Sequence, residues 1–433
     1  MKRYKQIYDY YLEEDEENSI ADIVPGHYIE QNIDKEKISA EYAIRFLQNN
    51  LNTLLGSFIN GGFSYKGYLI YPLVKDISVE NIMKVKLLKK VVVFLNDNGY
   101  DFSSSIKKYP EKISSSTFAV LLSALYQDYS LIKEKKTIQI KKPKCRELEM
   151  DAYKKEDLPY LSPLNELKEY ANANLREYLS GFYLHGSLAT KDFVRGWSDV
   201  DTLSVISKKT IRSPDALLKL RDKVYCMRYF FYKIDPLQHH GSIVVSEYDF
   251  DRYCHTYFPV PIFKYAKSLF KDDKITKFKA REFMHEASAN LFWFVNYFRK
   301  LSTKPSADLG SYDIKILLHY ITLFPTMYLQ AKGTLVYKKF SFDIARKDFE
   351  RDKWKVIDAA GSIRSKWKGF GVIPLTRLFS KANPLICYQL NSRIIDLFKD
   401  IKKDNNIDTK NMIKKMLELS EEAWEKIKNE RKV

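Results

Sequence analysis

The stretch from Gly181 to Ile206, GFYLHGSLATKDFVRGWSDVDTLSVI, constrains the fold of this chain more than any other. Phe182, Tyr183 and Leu184 form a short apolar strand, which Gly186-Ser187 breaks with a tight turn. Leu188 to Val194 has room for about two helical turns. Arg195-Gly196-Trp197-Ser198 loops back, and Asp199-Val200-Asp201 opens a second strand, Thr202 to Ile206, rich in β-branched and apolar residues.

Residues two apart on a strand share a face, so Asp199 and Asp201 are expected to point the same way while Val200 enters the core. Two adjacent carboxylates repel unless a cation sits between them. A hard divalent ion with oxygen ligands, Mg²⁺ or Mn²⁺, suits that place. On the neighbouring strand, the backbone N–H groups at Gly186 and the Ser187 hydroxyl are candidates to cradle phosphate oxygens. A phosphate grip facing a metal-binding acid pair is the equipment of two-metal phosphoryl or nucleotidyl transfer.

The stretch resembles the signature of the DNA polymerase β-like nucleotidyltransferase superfamily: Gly followed by Gly or Ser, roughly a dozen residues, then Asp-apolar-Asp/Glu-apolar. Here His185-Gly186-Ser187 is followed by eleven residues and Asp199-Val200-Asp201-Thr202, with Thr202 a departure at the last apolar position. The resemblance implies an α+β fold: a mixed-sheet nucleotidyltransferase core flanked by N-terminal and C-terminal helical domains. It implies transfer of a nucleoside monophosphate from an NTP, ATP among them, to an acceptor hydroxyl. Family members also carry a Gly-x-x-x-(Ser/Arg/Tyr)-Lys segment that approaches the triphosphate. Gly333 to Lys339 is similar to it, which makes Lys338 or Lys339 the candidate to neutralise the leaving phosphates, with ordinary surface lysines the competing account.

The 433 residues are enough for two to four domains with ample core. The formal charge of +17 suits a polyanionic partner such as nucleic acid, nucleotide phosphates or an anionic membrane surface, or else merely aids solubility, because the lysines are spread along the chain. Cys145, Cys226, Cys254 and Cys387 lie far apart, with no zinc or disulfide pattern. No apolar run reaches the ~18 residues of a membrane span, and the start lacks the apolar core of a signal peptide. The expectation is a cytoplasmic protein without a membrane span.

Residues 1–150 read as a mainly helical domain, with helices at Ile38 to Leu55, Ile82 to Asn96 and Ser115 to Ile132. Lys133 to Lys144 reads as a basic, exposed connector. The catalytic domain is placed at 155–270. It starts from an amphipathic helix over Leu164 to Leu179 and continues after the second strand with a helix opened by Ser213-Pro214-Asp215. Ile262 to Phe270 reads as a short helix. Residues 275–433 read as a C-terminal helical domain, with helices at Phe278 to Leu301, Tyr312 to Lys332, Arg346 to Ala359, Pro374 to Ile401 and a solvated one at Asn411 to Arg431.

The resembled fold carries a third acidic residue on the next strand, here Ile243 to Val245, which contains none. The nearest are Asp235 and Glu247. His239 and His240 stand where the strand begins, and either is a candidate to replace the carboxylate as ligand or base, His240 first. The alternative is a pair of turn histidines. That gap keeps a second class of protein open, a catalytically silent nucleotidyltransferase fold used for binding or assembly. Within the same chemistry, a nucleotide second-messenger synthase and a toxin–antitoxin or defence component also stay open.

Overall fold

A computed structural model describes residues 38–61, 79–133, 137–273 except 236 and 239, residue 275, and residues 277–303, 309–367 and 407–431. Among these the fold is α+β, with many helices around a five-stranded mixed sheet and a separate two-stranded one.

The chain enters through α1 (Ala40–Ile59), whose first turn is capped by Ser39 accepting from the Tyr42 N–H at 3.2 Å. Its apolar positions Ala43, Phe46, Leu47, Leu51 and Leu54 are all buried. Next come α2 (Val79–Asp97), α3 (Ser103–Lys107) and α4 (Ser115–Tyr129). Gly99 follows α2 at φ +87°, the left-handed geometry that lets a helix stop sharply.

Part of the expected basic, exposed connector is a strand, mostly exposed as expected, and one of its lysines is buried. Residues 138–141 form β1 (Ile138–Lys141), and Lys142 is buried against Asp273 at 2.6 Å. β1 pairs antiparallel with β7 (Lys277–Ala280), where side chains alternate exposed and buried. The helix expected from Phe278 therefore begins only at Met284.

The large sheet has the order β2-β6-β3-β4-β5. Its strands are β2 (Arg146–Glu147), β3 (Leu179–Leu184), β4 (Thr202–Ile206), β5 (Ile243–Ser246) and β6 (Lys267–Ser268). Between them the chain makes α5 (Leu158–Asn174), α6 (Gly186–Thr190), α7 (Lys208–Ile211) and α8 (Pro214–Ile234). Ser213 caps α8 by accepting from the Ala216 N–H at 3.2 Å, with Pro214 in the first turn. β3 and β4 are antiparallel, and β5 runs parallel to β4. Over 262–270 the expected helix is replaced by a 3₁₀ turn, Val260–Lys264, and the two-residue β6, which pairs with Tyr183 and Leu184 of β3.

One sheet face, through Phe182, Leu184, Ile206 and Val244, with Val200 just ahead of β4, shares a single core with α1, α2, α4, α5 and α8. The other face, through Tyr183, Leu203, Val205 and Val245, packs on Tyr253, Phe258, Phe263 and Phe278. Each such side chain contributes about 1.5–3 kcal/mol when fully buried. The free edge of β5 is covered by α1. The Asn52 side-chain amide donates to the Val244 carbonyl at 3.0 Å, and Asn60 both donates to and accepts from the Ser242 backbone at 2.8 and 3.0 Å.

The C-terminal helices are α9 (Met284–Ser302), α10 (Ser311–Ala331), α11 (Lys338–Ala345), α12 (Arg351–Ser365) and α13 (Thr409–Arg431). They enclose a second core that also takes in Trp197, Tyr232 and Leu237. α13 is not a simply solvated helix: Ile413, Met416, Leu419, Ala423 and Ile427 are buried, and charged pairs such as Lys426–Glu422 at 3.3 Å lie along the rest. Pro374 to Ile401 lies outside the described residues. No helix among those described is long and apolar enough to cross a membrane.

Candidate active site

The Gly186-Ser187 turn and the Asp199/Asp201 pair come together as the sequence spacing requires. Gly186 has φ +70°, a conformation open to glycine. A Cβ on it would lie 2.9 Å from Asp201 Cγ and closer still to Oδ2, so the turn and the carboxylate touch without space for a methyl group. The backbone is tied at the same point, where the His185 N–H donates to the Asp201 carbonyl at 2.9 Å. Asp199 and Asp201 lie just ahead of β4 rather than inside it. Between them the Val200 N–H is taken by Gln238 Oε1 at 2.9 Å instead of a strand partner.

The two carboxylates face one imidazole. His240 Nε2 is 3.4 Å from Asp199 Oδ2 and 3.2 Å from Asp201 Oδ1, and its Nδ1 is 2.9 Å from the Gly241 carbonyl. Burial pulls the His240 pKa down, but the hydrogen bonds to Asp199 and Asp201 outweigh it and hold the ring well above the usual imidazole range. Asp201 is lowered in return: burial raises it, and His240 and His185 more than reverse that. An imidazolium donating from both nitrogens has no lone pair to act as a base. Its role in this state is to occupy, as a cation, the place between the acids.

That donor set fits a hard divalent ion. Two buried-to-half-buried carboxylates converge on one point, and that point already accommodates positive charge. Among the described residues no ready-made group of three or more His, Cys, Asp or Glu side chains is arranged to hold a metal. Of the candidates for the third acid, Glu247 is turned away, its carboxylate accepting from the Lys208 backbone N–H at 2.7 Å. Asp235 is fully buried and ion-paired with Lys315 of α10. His239 lies outside the described residues.

Ser187 is already engaged. Its hydroxyl donates to Ser198 Oγ at 2.9 Å, which in turn accepts from the Val194 N–H at 2.9 Å, so Ser198 shapes the loop between the two motifs. α11 closes against the same loop. Tyr337 stacks on Tyr265 with centroids 4.9 Å apart, and its hydroxyl lies 3.4 Å from Thr190 Oγ1. The two lysines at its start then separate in role. Lys339 is ion-paired with Asp192 at 3.0 Å. Lys338 is half-buried and donates to Thr322 Oγ1 at 3.2 Å. Its pKa is lowered to about 7, first by burial and then by Arg364, against the pull of Asp201 and Asp199.

Gln238 and Ser198 therefore belong to the site although no motif marked them. Gln238 was legible only as one polar residue in a turn, and the charge of Arg364, which acts on Lys338, comes from a helix that no local pattern ties to it. No family model, curated protein or solved structure matches this chain.

Proposed function

We propose that this protein is a nucleotidyltransferase that moves a nucleoside monophosphate from an NTP to an acceptor hydroxyl and releases pyrophosphate. The observation that carries this reading is the convergence of Asp199 and Asp201 on one point directly against the Gly186 turn. The order helix, strand, Gly-Ser turn, strand, two helices, strand (α5, β3, α6, β4, α7 and α8, β5) supports it as well.

A divalent cation bound at Asp199 and Asp201, Mg²⁺ or Mn²⁺, would neutralise phosphate charge and acidify the attacking hydroxyl. The chain's own residues do the rest. The Gly186-Ser187 turn binds phosphate oxygens through backbone N–H groups, and Gln238 and Ser198 hold the acid loop in place. Lys338 meets the charge that gathers on the leaving pyrophosphate. Lys339, held by Asp192, fastens α11 to the turn. His240 holds the same place as a cation until the ion binds. The net positive charge is consistent with nucleic acid as acceptor, and a cytoplasmic setting belongs to the same reading.

The test is incubation with each α-labelled NTP and Mg²⁺ or Mn²⁺, offering RNA, protein and small-molecule pools as acceptors. Label transfer with stoichiometric pyrophosphate supports the reading. NTP binding with no pyrophosphate from any pool would instead mark a silent fold used for binding, the reading favoured by the lack of an acid on β5.

A further inference from the structure

A second site lies elsewhere in the molecule, in a cleft of about 740 Å³ between α1 and α9 that neither Asp199 nor Asp201 lines. From Asn60, beside the end of β5, to Asn49, on the cleft wall, α1 rises about 16 Å. One of the residues lining the cleft is Glu286, which is 9% exposed. Its Oε1 accepts from Arg281 Nη1 at 2.6 Å and from the Asn49 amide at 3.4 Å. Asn49 is held in turn, its Oδ1 accepting from Arg281 Nη2 at 3.1 Å and from the Tyr257 hydroxyl at 2.7 Å. All of this satisfies Oε1. Among the described residues, Glu286 Oε2 is buried with no hydrogen-bond partner.

A buried carboxylate oxygen without a donor is costly, and a ligand that supplies one recovers that cost. Arg281 already balances the charge of Glu286, so the donor need not be a cation, and a neutral N–H is enough. The other walls narrow the class. Tyr42 on α1 and Trp293 on α9 supply aromatic surface, and Asn290 and Asn296 on α9 supply amides. Flat aromatic surfaces, amides and a carboxylate acceptor together match a base read on its polar edge. A carboxylate reads an exocyclic amine in particular.

We infer that the cleft binds a nucleobase bearing an exocyclic amino group, adenine, cytosine or guanine, with the amine donating to Glu286 Oε2. The site needs neither metal nor triphosphate.

The experiment is calorimetric titration of the full chain, in EDTA, with adenosine, cytidine, guanosine, uridine and inosine. At least one amino-bearing nucleoside binds one to one, and uridine and inosine bind at least ~10-fold more weakly, about one hydrogen bond's worth. Glu286→Gln, which turns an amide donor toward the amine, removes that preference. Ala289→Trp, at a half-buried position lining the cleft, fills it and abolishes binding without lowering the melting temperature, so the test survives if Glu286→Gln fails to fold. Asp199→Asn with Asp201→Asn leaves nucleoside binding unchanged, which separates this site from the proposed transferase centre. No binding at millimolar nucleoside, equal binding of uridine, or full binding by Ala289→Trp would each overturn the inference.

Discussion

Gly186 and Asp201 are in such close apposition that a single added carbon between them cannot be accommodated. The glycine also sits at φ +70°. Gly186→Ala therefore combines backbone strain with a push on the carboxylate, and about 1–3 kcal/mol of stability should be lost. Denaturant melts measure that loss. Transfer activity should fall by more than the stability loss explains, because Asp201 leaves its position. A variant that keeps both stability and activity would mean that the contact has no bearing on the site.

His240 stands between Asp199 and Asp201, and removing it leaves the two acids facing each other. His240→Ala should lower the melting temperature in EDTA and should be rescued by Mg²⁺ more strongly than the wild type, since the ion then supplies the missing positive charge. Thermal melts of both proteins with and without Mg²⁺ decide this. An equal Mg²⁺ increment in the two would show that imidazole and ion do not share a place.

Lys338 gives the pH dependence. Its pKa in the fold is lowered to about 7 by burial and by Arg364, with Asp199 and Asp201 opposing, whereas an unfolded lysine titrates near ~10.4. The unfolded chain therefore holds more protons between these values, so this residue's contribution to stability increases as pH rises through that window and is lowest below it. Binding has the opposite sign. A triphosphate favours the charged form, so NTP affinity should fall as pH rises from about 6 to 9, and Lys338→Met should flatten that slope. Affinity measured across this range for both proteins is the check.

The fully buried pair Asp235–Lys315 joins the end of α8 to α10. Burial raises the Asp235 pKa while Lys315 lowers it. Lys315→Met strands a carboxylate near Asp199 and should cost about 3–5 kcal/mol. Asp235→Asn with Lys315→Met, which removes both charges, should cost clearly less. Urea melts of the single and double variants test this, and equal losses would count against the pair.

The local geometry of the candidate site was legible because it lies within one short stretch. The Gly186 turn, the acid pair two residues apart and the capped start of α8 at Ser213-Pro214 all carry their physical reason in adjacent residues. What escaped depends on distant partners. β6 is two residues long and exists because Tyr183 and Leu184 pair with it. β7 has four residues, too few for alternation to stand out from the start of α9. Lys142 looked like part of a solvated basic run, yet its partner Asp273 lies 131 positions away and buries it. The charges of α13 hid an apolar stripe that α9 covers. The cleft at Glu286 draws its walls from α1 and α9, which no local pattern connects.

The most direct measurement is transfer of labelled nucleoside monophosphate by the wild type and by Asp199→Asn with Asp201→Asn, in Mg²⁺ or Mn²⁺, with melting temperatures recorded alongside. A transferase centred on these two acids gives transfer by the wild type and none above background by the double variant, with the fold intact. Undiminished transfer by a folded double variant would contradict that assignment.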